Sequence, residues 1–392
     1  MSPWPQNSMK WFYGLFGLCS IFFSNILAAQ LDYKGKIIDG KSGHPIPYVN
    51  VGIVEKGIGT VSDEEGMFHL EFNPDLYASS DVVLFSSLGY EKLEIPISDL
   101  KFVYNEYPIL KLNPSILELN EVVVTDKKGE FVQKSAGYKN TGEPVYGYWK
   151  DNIALGGELA SHIRVAKGLR QLKSFGFEVW ENVSDSVLLR INIYDIGSFG
   201  LPGNNLNESG LNMLHTIKEN DMFAHIDLMP YSIFVRDDFI VSVELLQVYG
   251  KKEPRMALAG VSFGNGSFRR YASQDKWEKV SDKSLAFFLE TAHFVPVKEA
   301  ERIRKREKRR KERLPIISGF VIENGRMVPN VTVRNLRTKE WTTTNENGRY
   351  TLHARPTDRL IFTKKGYFNA SWRVKRRLTL NVKLKSKYSS LP

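Results

Sequence analysis

Apolar and polar positions alternate with a period of two along several stretches of this 392-residue chain. Phe175, Phe177 and Val179 alternate with Gly176, Glu178 and Trp180. Val187, Leu189, Ile191 and Ile193 alternate with Leu188, Arg190, Asn192 and Tyr194. Phe239, Val241, Val243 and Leu245 alternate with Ile240, Ser242, Glu244 and Leu246. Such a pattern puts one set of side chains into a core and the other on the opposite face of a strand. Turn signals separate the runs, among them a Gly- and Asn-rich loop near 197–212. Residues 151–295 are therefore expected to form an antiparallel sandwich of jelly-roll type.

Two shorter β-rich stretches flank this block and share landmarks. The first has Gly35, Pro47, Thr60-Val61-Ser62-Asp63-Glu64-Glu65-Gly66-Met67-Phe68 and Leu88-Gly89-Tyr90. The second has Gly319, Pro329, Thr342-Thr343-Thr344-Asn345-Glu346-Asn347-Gly348-Arg349-Tyr350 and Lys365-Gly366-Tyr367, at offsets of 284, 282, 282 and 277. Asp63 or Asn345 followed three residues later by glycine predicts a tight turn, with a side-chain oxygen accepting backbone N–H bonds.

These landmarks, with Leu119-Asn120-Glu121-Val122-Val123-Val124 behind the first set, resemble the carboxypeptidase regulatory-like domain of Bacteroidota envelope proteins, TonB-dependent receptors included. The resemblance covers residues 33–125, and more weakly 316–385. It implies a small transthyretin-like, Ig-like β-sandwich for each copy. The fold class expected is all-β: two small sandwiches flanking a larger one. The boundaries read as 30–125 for the first small sandwich, 126–150 for a linker rich in Lys, Gly and Tyr, and 151–295 for the central block. A basic helical linker follows over 296–314, then the second small sandwich over 315–386.

Residues 298–314 carry ten Lys or Arg and four Glu with no Gly or Pro. Glu301–Lys305 and Glu307–Lys311 fall at i,i+4 in the favourable order, which predicts a solvated helix. Apolar positions are too few there for a core-facing stripe. Arg304, Lys305, Arg306, Arg309 and Arg310 are its candidate anion- or surface-binding residues.

Charge sharpens this picture. Residues 298–392 hold 26 Lys or Arg against 8 Asp or Glu, a net of +18, while the preceding 297 hold 28 against 36, a net of −8. A basic end behind an acidic body points to an anionic partner. The N-terminus reads as a secretory signal over 1–29: Lys10, an apolar run from Trp11 to Leu27, then Ala28-Ala29. Export makes lipopolysaccharide, glycan or an outer-membrane protein the expected partner rather than nucleic acid, in the periplasm or at the outer membrane. Cys19, the sole cysteine, lies within the signal behind Leu18, so the exported chain relies on burial rather than disulfides.

Catalytic constellations are not expected. None of the seven histidines has Glu three residues on, so the His-x-x-Glu pair of a zinc peptidase is missing. Gly260-Val261-Ser262-Phe263-Gly264 fits a hydrolase elbow in letters, but the residues after it read as a turn, not the helix an elbow requires. Asp195, Asp221, Asp227, Asp237, Asp238 and Glu244 offer carboxylates that the sequence cannot pair. No metal or cofactor is expected. For a glycan ligand the candidates are Trp180, Trp277, Tyr194, Asn204 and Asn205, aromatic faces beside amide side chains.

Overall fold

A computed structural model describes residues 31–387 apart from 107–108, 116–127, 141–143, 150–153, 251–254 and 313–314. The expected signal segment and the motif at 119–124 lie outside the described residues. The first small sandwich contains β1 (Leu31–Asp39), β2 (Asn50–Ile53), β3 (Ile58–Val61) and β4 (Met67–Phe72). It continues with β5 (Val82–Ser86), β6 (Leu93–Pro96), helix α1 (Ile97–Glu106) and β7 (Ile109–Leu112). One sheet runs β4-β1-β7 and the other β3-β2-β5-β6. Within the first, β7 lies parallel to β1. In β4 the alternation is strict, with Phe68, Leu70 and Phe72 buried against Tyr33, Ile37, Val51 and Phe85.

The central unit begins earlier than its sequence suggests, with β8 (Gly129–Gly137) and β9 (Tyr146–Trp149). There follow β10 (Glu158–Ile163), β11 (Arg170–Asn182), β12 (Ser186–Ile196), β13 (Pro202–Asn205) and β14 (Met213–Lys218). Next come β15 (Phe223–Asp227), β16 (Phe234–Val235), β17 (Phe239–Tyr249), β18 (Met256–Val261) and β19 (Ser267–Arg270). It closes with β20 (Glu278–Ser281), β21 (Ser284–Leu285) and β22 (Phe288–Pro296). One sheet has the order β13-β12-β17-β10-β19-β20, with β14 also on β12. The other runs β21-β18-β11-β22-β8, with β15 and β16 on β11 and β9 on β18. The apolar halves of the alternating runs (Phe175, Phe177, Leu189, Ile191, Val241 and Val243 among them) meet between these sheets. Each such side chain contributes about 1.5–3 kcal/mol on burial.

The expected linker at 126–150 is thus corrected in its described part. β8 pairs with β22 from Gly129↔Pro296 to Phe288↔Gly137. It is an edge strand whose one fully buried side chain is Val132, so its sequence carries almost no alternation.

Helix α2 (Val297–Glu312) follows β22 directly. Although Lys and Arg dominate it, Ala300 is fully buried and, with Ile303, packs on Val132 and Val295. The expectation of a helix without a core contact is corrected: two small apolar positions one turn apart dock it on the β8–β22 edge.

The C-terminal unit has the strand order of the first, with the short strand Arg326–Met327 added and no counterpart of α1 among its described residues. It contains β23 (Ile316–Glu323), β24 (Arg326–Met327), β25 (Thr332–Asn335), β26 (Trp341–Thr343), β27 (Arg349–His353), β28 (Arg359–Thr363), β29 (Ala370–Arg373) and β30 (Val382–Lys383). One sheet joins β24, β23 and β27, with β30 parallel to β23, and the other runs β26-β25-β28-β29. The turns match as well. Asp63 Oδ1 accepts from the Glu65 and Met67 amides at 3.0 and 2.8 Å. Asn345 Oδ1 does the same for Asn347 and Arg349 at 3.1 and 2.9 Å. Gly66 and Gly348 close these turns at φ 73 and 64, a conformation that glycine adopts without strain.

Candidate functional site

The face of the β12-bearing sheet that points away from the main core carries a row of four charges. Register sets it directly: Arg270 pairs with Glu158, Glu158 with Glu244, and Glu244 with Arg190. The side chains therefore lie side by side across β19, β10, β17 and β12 in the order plus, minus, minus, plus. Both carboxylates have zero solvent exposure, and Arg190 has 5%.

Each carboxylate is saturated with donors. Arg190 grips Glu244 with two parallel bonds, Nε to Oε2 and Nη2 to Oε1, both 2.8 Å. Asn192 Nδ2 adds a third at 2.8 Å. Glu158 accepts from Arg270 Nη2, from the Ser242 hydroxyl and from the Tyr194 hydroxyl, the last at 3.1 Å. Guanidinium forks suit this task because they are planar and stay charged when buried.

Two carboxylates on directly opposed positions repel, and they titrate in opposite directions. Burial, against the attraction of Arg270 and with the added repulsion of Glu244, raises Glu158 above the usual carboxylate value. Burial also acts to raise Glu244, but Arg190 outweighs it and holds that carboxyl below the usual value. Burial and the neighbouring Glu158 push the Tyr194 phenol well upward.

Beyond Glu244, Arg190 reaches Asn212 within the central unit at 3.3 Å and also the first sandwich. Nη1 donates to the Tyr48 carbonyl at 2.8 Å, and Nη2 to Asn50 Oδ1 at 2.6 Å. The first small sandwich is therefore the lid on the charged row. Around this polar bridge Tyr48 and Val61 pack on Leu188 and Leu246. A second contact lies at the facing pair Gly52↔Gly59, where an added Cβ on either residue would collide with the Ser273 carbonyl. Flanking bonds run from the Glu55 amide to the Gln274 carbonyl at 3.0 Å and from the Gly57 amide to Asp275 Oδ1 at 3.0 Å.

The glycan candidates divide between two places. Tyr194 and Trp277 meet edge to face at 5.9 Å, with the Arg270 guanidinium 5.1 Å from the Trp277 ring centre. Asn205 Nδ2 donates to Asn192 Oδ1 at 3.2 Å, and Asn204 donates to Asp195. Tyr194, Trp277 and Asn205 gather around the charged row, while Asn204 lies exposed beside Asp195; Tyr194 is enclosed instead of displayed, because its hydroxyl serves Glu158. Trp180 stands on the other sheet, beside a register shift in β11, 42% exposed and 6.3 Å from the Tyr146 ring. In α2, Arg304, Lys305, Arg306 and Arg309 are exposed, and Arg304 pairs with Glu130. The Arg310 side chain lies outside the described residues.

Sequence reading missed Glu158, Arg190 and Arg270. Arg190 sits at an ordinary polar position of an alternating run, and Glu158 and Arg270 lie on short strands that do not alternate; only strand order brings them into one row. Ser262 follows β18 and leads through a turn into strand β19, so the helix of a hydrolase elbow is not there. Asp32, His69 and Glu71 form an exposed group in which His69 Nε2 lies 2.6 Å from Asp32 and 2.8 Å from Glu71.

Residues 33–124 match the family model of the CarboxypepD_reg-like domain. That domain is non-catalytic, and the match concerns those residues alone. A TonB-dependent receptor of Formosa agariphila is 38% identical over 109 residues, which make up 27% of this chain and 9% of the receptor. Among solved structures, the cysteine protease and lectin-like domains of Cwp84, a surface layer associated protein of Clostridium difficile, align at TM-score 0.31 and 11% identity. That alignment covers 63% of this chain and 58% of that one. BcpA, the major pilin subunit of Bacillus cereus, aligns at TM-score 0.15 and 10% identity over 91% and 100%. Neither structural likeness bears on function. No helix among the described residues is long and apolar enough to cross a membrane.

Proposed function

We propose that this chain is an exported, non-catalytic binding or scaffold protein of the cell envelope, in the periplasm or at the outer membrane. Its basic C-terminal region, 298–392, meets an anionic partner: lipopolysaccharide, an acidic glycan or an outer-membrane protein. The observation that carries the reading is the charged row itself. Glu158 and Glu244 are the best-placed carboxylate pair in the central unit, yet both are shut from solvent and committed to Arg270 and Arg190. An acid and a base for hydrolysis need room for substrate and water between them; here Glu244 instead holds the Arg190 that bridges to the first sandwich. The family match at 33–124 and the receptor similarity support an envelope setting, and the repeated topology supports a second regulatory-like module at the C-terminal end.

The test is binding of the purified protein to outer-membrane vesicles at low and high salt. Binding is expected to weaken with salt, since exposed charges are screened within about 10 Å at 0.1 M. It should fall again in the triple variant Lys305→Gln, Arg306→Gln, Arg309→Gln. Hydrolysis of a glycan or peptide that a central-unit mutation abolished would overturn the reading. The exposed Trp180–Tyr146 pair favours a second reading, sugar stacking on that face. There Trp180→Ala should abolish binding on a glycan array while leaving vesicle binding intact.

A further inference from the structure

The central and C-terminal sandwiches enclose a cleft of about 130 Å³, lined from both sides by cations. Lys139 comes from the loop after β8, Arg337 and Arg355 from loops of the C-terminal unit, and Arg359 and Arg373 from β28 and β29. Glu178 and Asp358 are the carboxylates among the lining residues, so five cations face two anions.

Those anions are already committed. Asp358 takes the Arg337 fork, with Nη2 to Oδ2 at 2.8 Å. Glu178 accepts from Arg359 Nη2 at 3.3 Å. Arg373 donates Nη2 to the Asn140 carbonyl at 2.9 Å. Two cations are less fully satisfied, because Arg355 has to share Asp358 with Arg337. The Nε of Arg355 is buried without a hydrogen-bond partner and lies 3.6 Å from Asp358, too far for a bond. Lys139 is an exposed residue whose ammonium lies 4.4 Å from the centre of the Phe288 ring. Phe223 stacks on Phe288 at 5.5 Å and completes an apolar floor. Loss of hydration, then the repulsion of Lys339, pulls the Lys139 ammonium below the usual lysine value.

A buried donor without an acceptor is costly, and so is a group of like charges with too few counter-ions. One compact anion with several acceptor oxygens would relieve both. The cleft has the volume of about four waters, enough for a group of five heavy atoms. We propose that this cleft is a binding site for a tetrahedral oxyanion, a phosphate or sulfate group, free or as an ester. Arg355 and Lys139 hold it, and Phe288 shapes the floor beneath. The site is separate from the exposed basic face of α2.

The test is isothermal titration calorimetry of the purified protein with inorganic phosphate and with inorganic sulfate, each against chloride at equal ionic strength. One saturable site is expected. Arg355→Gln and, separately, Lys139→Met should each weaken it by about tenfold or more. Both side chains are partly solvent-exposed, so either variant should keep the wild-type circular dichroism and melting temperature without anion. The triple α2 variant should bind as wild type does. The proposal fails if neither anion gives heat beyond chloride, or if both cleft variants bind as wild type does. It fails too if affinity falls with the α2 variant instead. Phosphate or sulfate binding with the expected pattern upholds the site, and the ratio of the two affinities identifies which ester to seek.

Discussion

The two small sandwiches share strand order, turns and core, yet they meet the central unit by opposite means. The β2–β3 pair of the first presents Gly52 opposite Gly59, and the Ser273 backbone fills the notch they leave. At the corresponding positions of β25–β26 the second has Arg334 opposite Trp341, both exposed. Tyr48 and Asn330 show the same contrast at φ 57 and 54. Asn tolerates this left-handed conformation readily and Tyr does not. Tyr48 is held in it because its carbonyl takes Arg190 and its ring packs on Leu188 and Leu246. The second unit is tied instead by polar contacts such as Arg359–Glu178 and Lys339–Glu290, on side chains 14–35% exposed. A shared framework fixes how each sandwich folds, and a few face residues decide whether it is locked in place or only tethered.

The strongest way to break this contrast is Arg190→Met. It leaves Glu244 buried beside Glu158 with no cation on its side, and should cost about 3–5 kcal/mol, read as a large fall in the denaturation midpoint. Next is Gly59→Val, where overpacking against Ser273 should cost about 1–3 kcal/mol. Its mirror, Trp341→Val, removes an exposed ring and should leave the midpoint close to wild type.

A smaller effect separates the two carboxylates. Because the folded state raises Glu158, the native protein binds that proton more tightly than the unfolded chain does. The Glu158 contribution is therefore fully present below the ordinary value of 4.5 and is lost as pH rises through the folded value. Glu158→Gln removes that loss, so its stability relative to wild type should improve as pH rises from 4.5 toward neutrality. A flat or falling difference in paired urea titrations would contradict the assignment. A small effect should also come from Arg359→Ala, where a partly exposed pair is worth about 0–1 kcal/mol. A larger loss would mean that the second sandwich is locked as firmly as the first.

The all-β class and the core faces were legible because β12, β17 and β4 alternate cleanly. The repeated turns were legible because Asp63-x-x-Gly66 and Asn345-x-x-Gly348 need those residue types to close. β8 was not legible, since an edge strand with one buried side chain leaves no periodic trace. Nor was the charged row. Arg190, Glu244 and Glu158 look like solvent-facing positions along each strand, and only the non-sequential order β12-β17-β10-β19 makes them neighbours. Trp180 could be read as exposed because it falls on the polar side of its run. Tyr194, on the polar side of its own run, could not be read as enclosed, because its cover comes from a different part of the chain.

The pairing of β8 with β22 has a mechanical side. Gly129 and Pro296, the first residue of one strand and the last of the other, face each other. The chain therefore enters and leaves the central sandwich at the same end of one antiparallel ladder. Once the contacts of both flanking sandwiches with the central unit had parted, tension between them would load that ladder as a zipper, parting its rungs one after another instead of shearing them together. The bulk of the central unit lies off the line of force. Its edge strand would peel long before the buried sheets felt the pull, with α2, seated on that edge, the first packed element to come away.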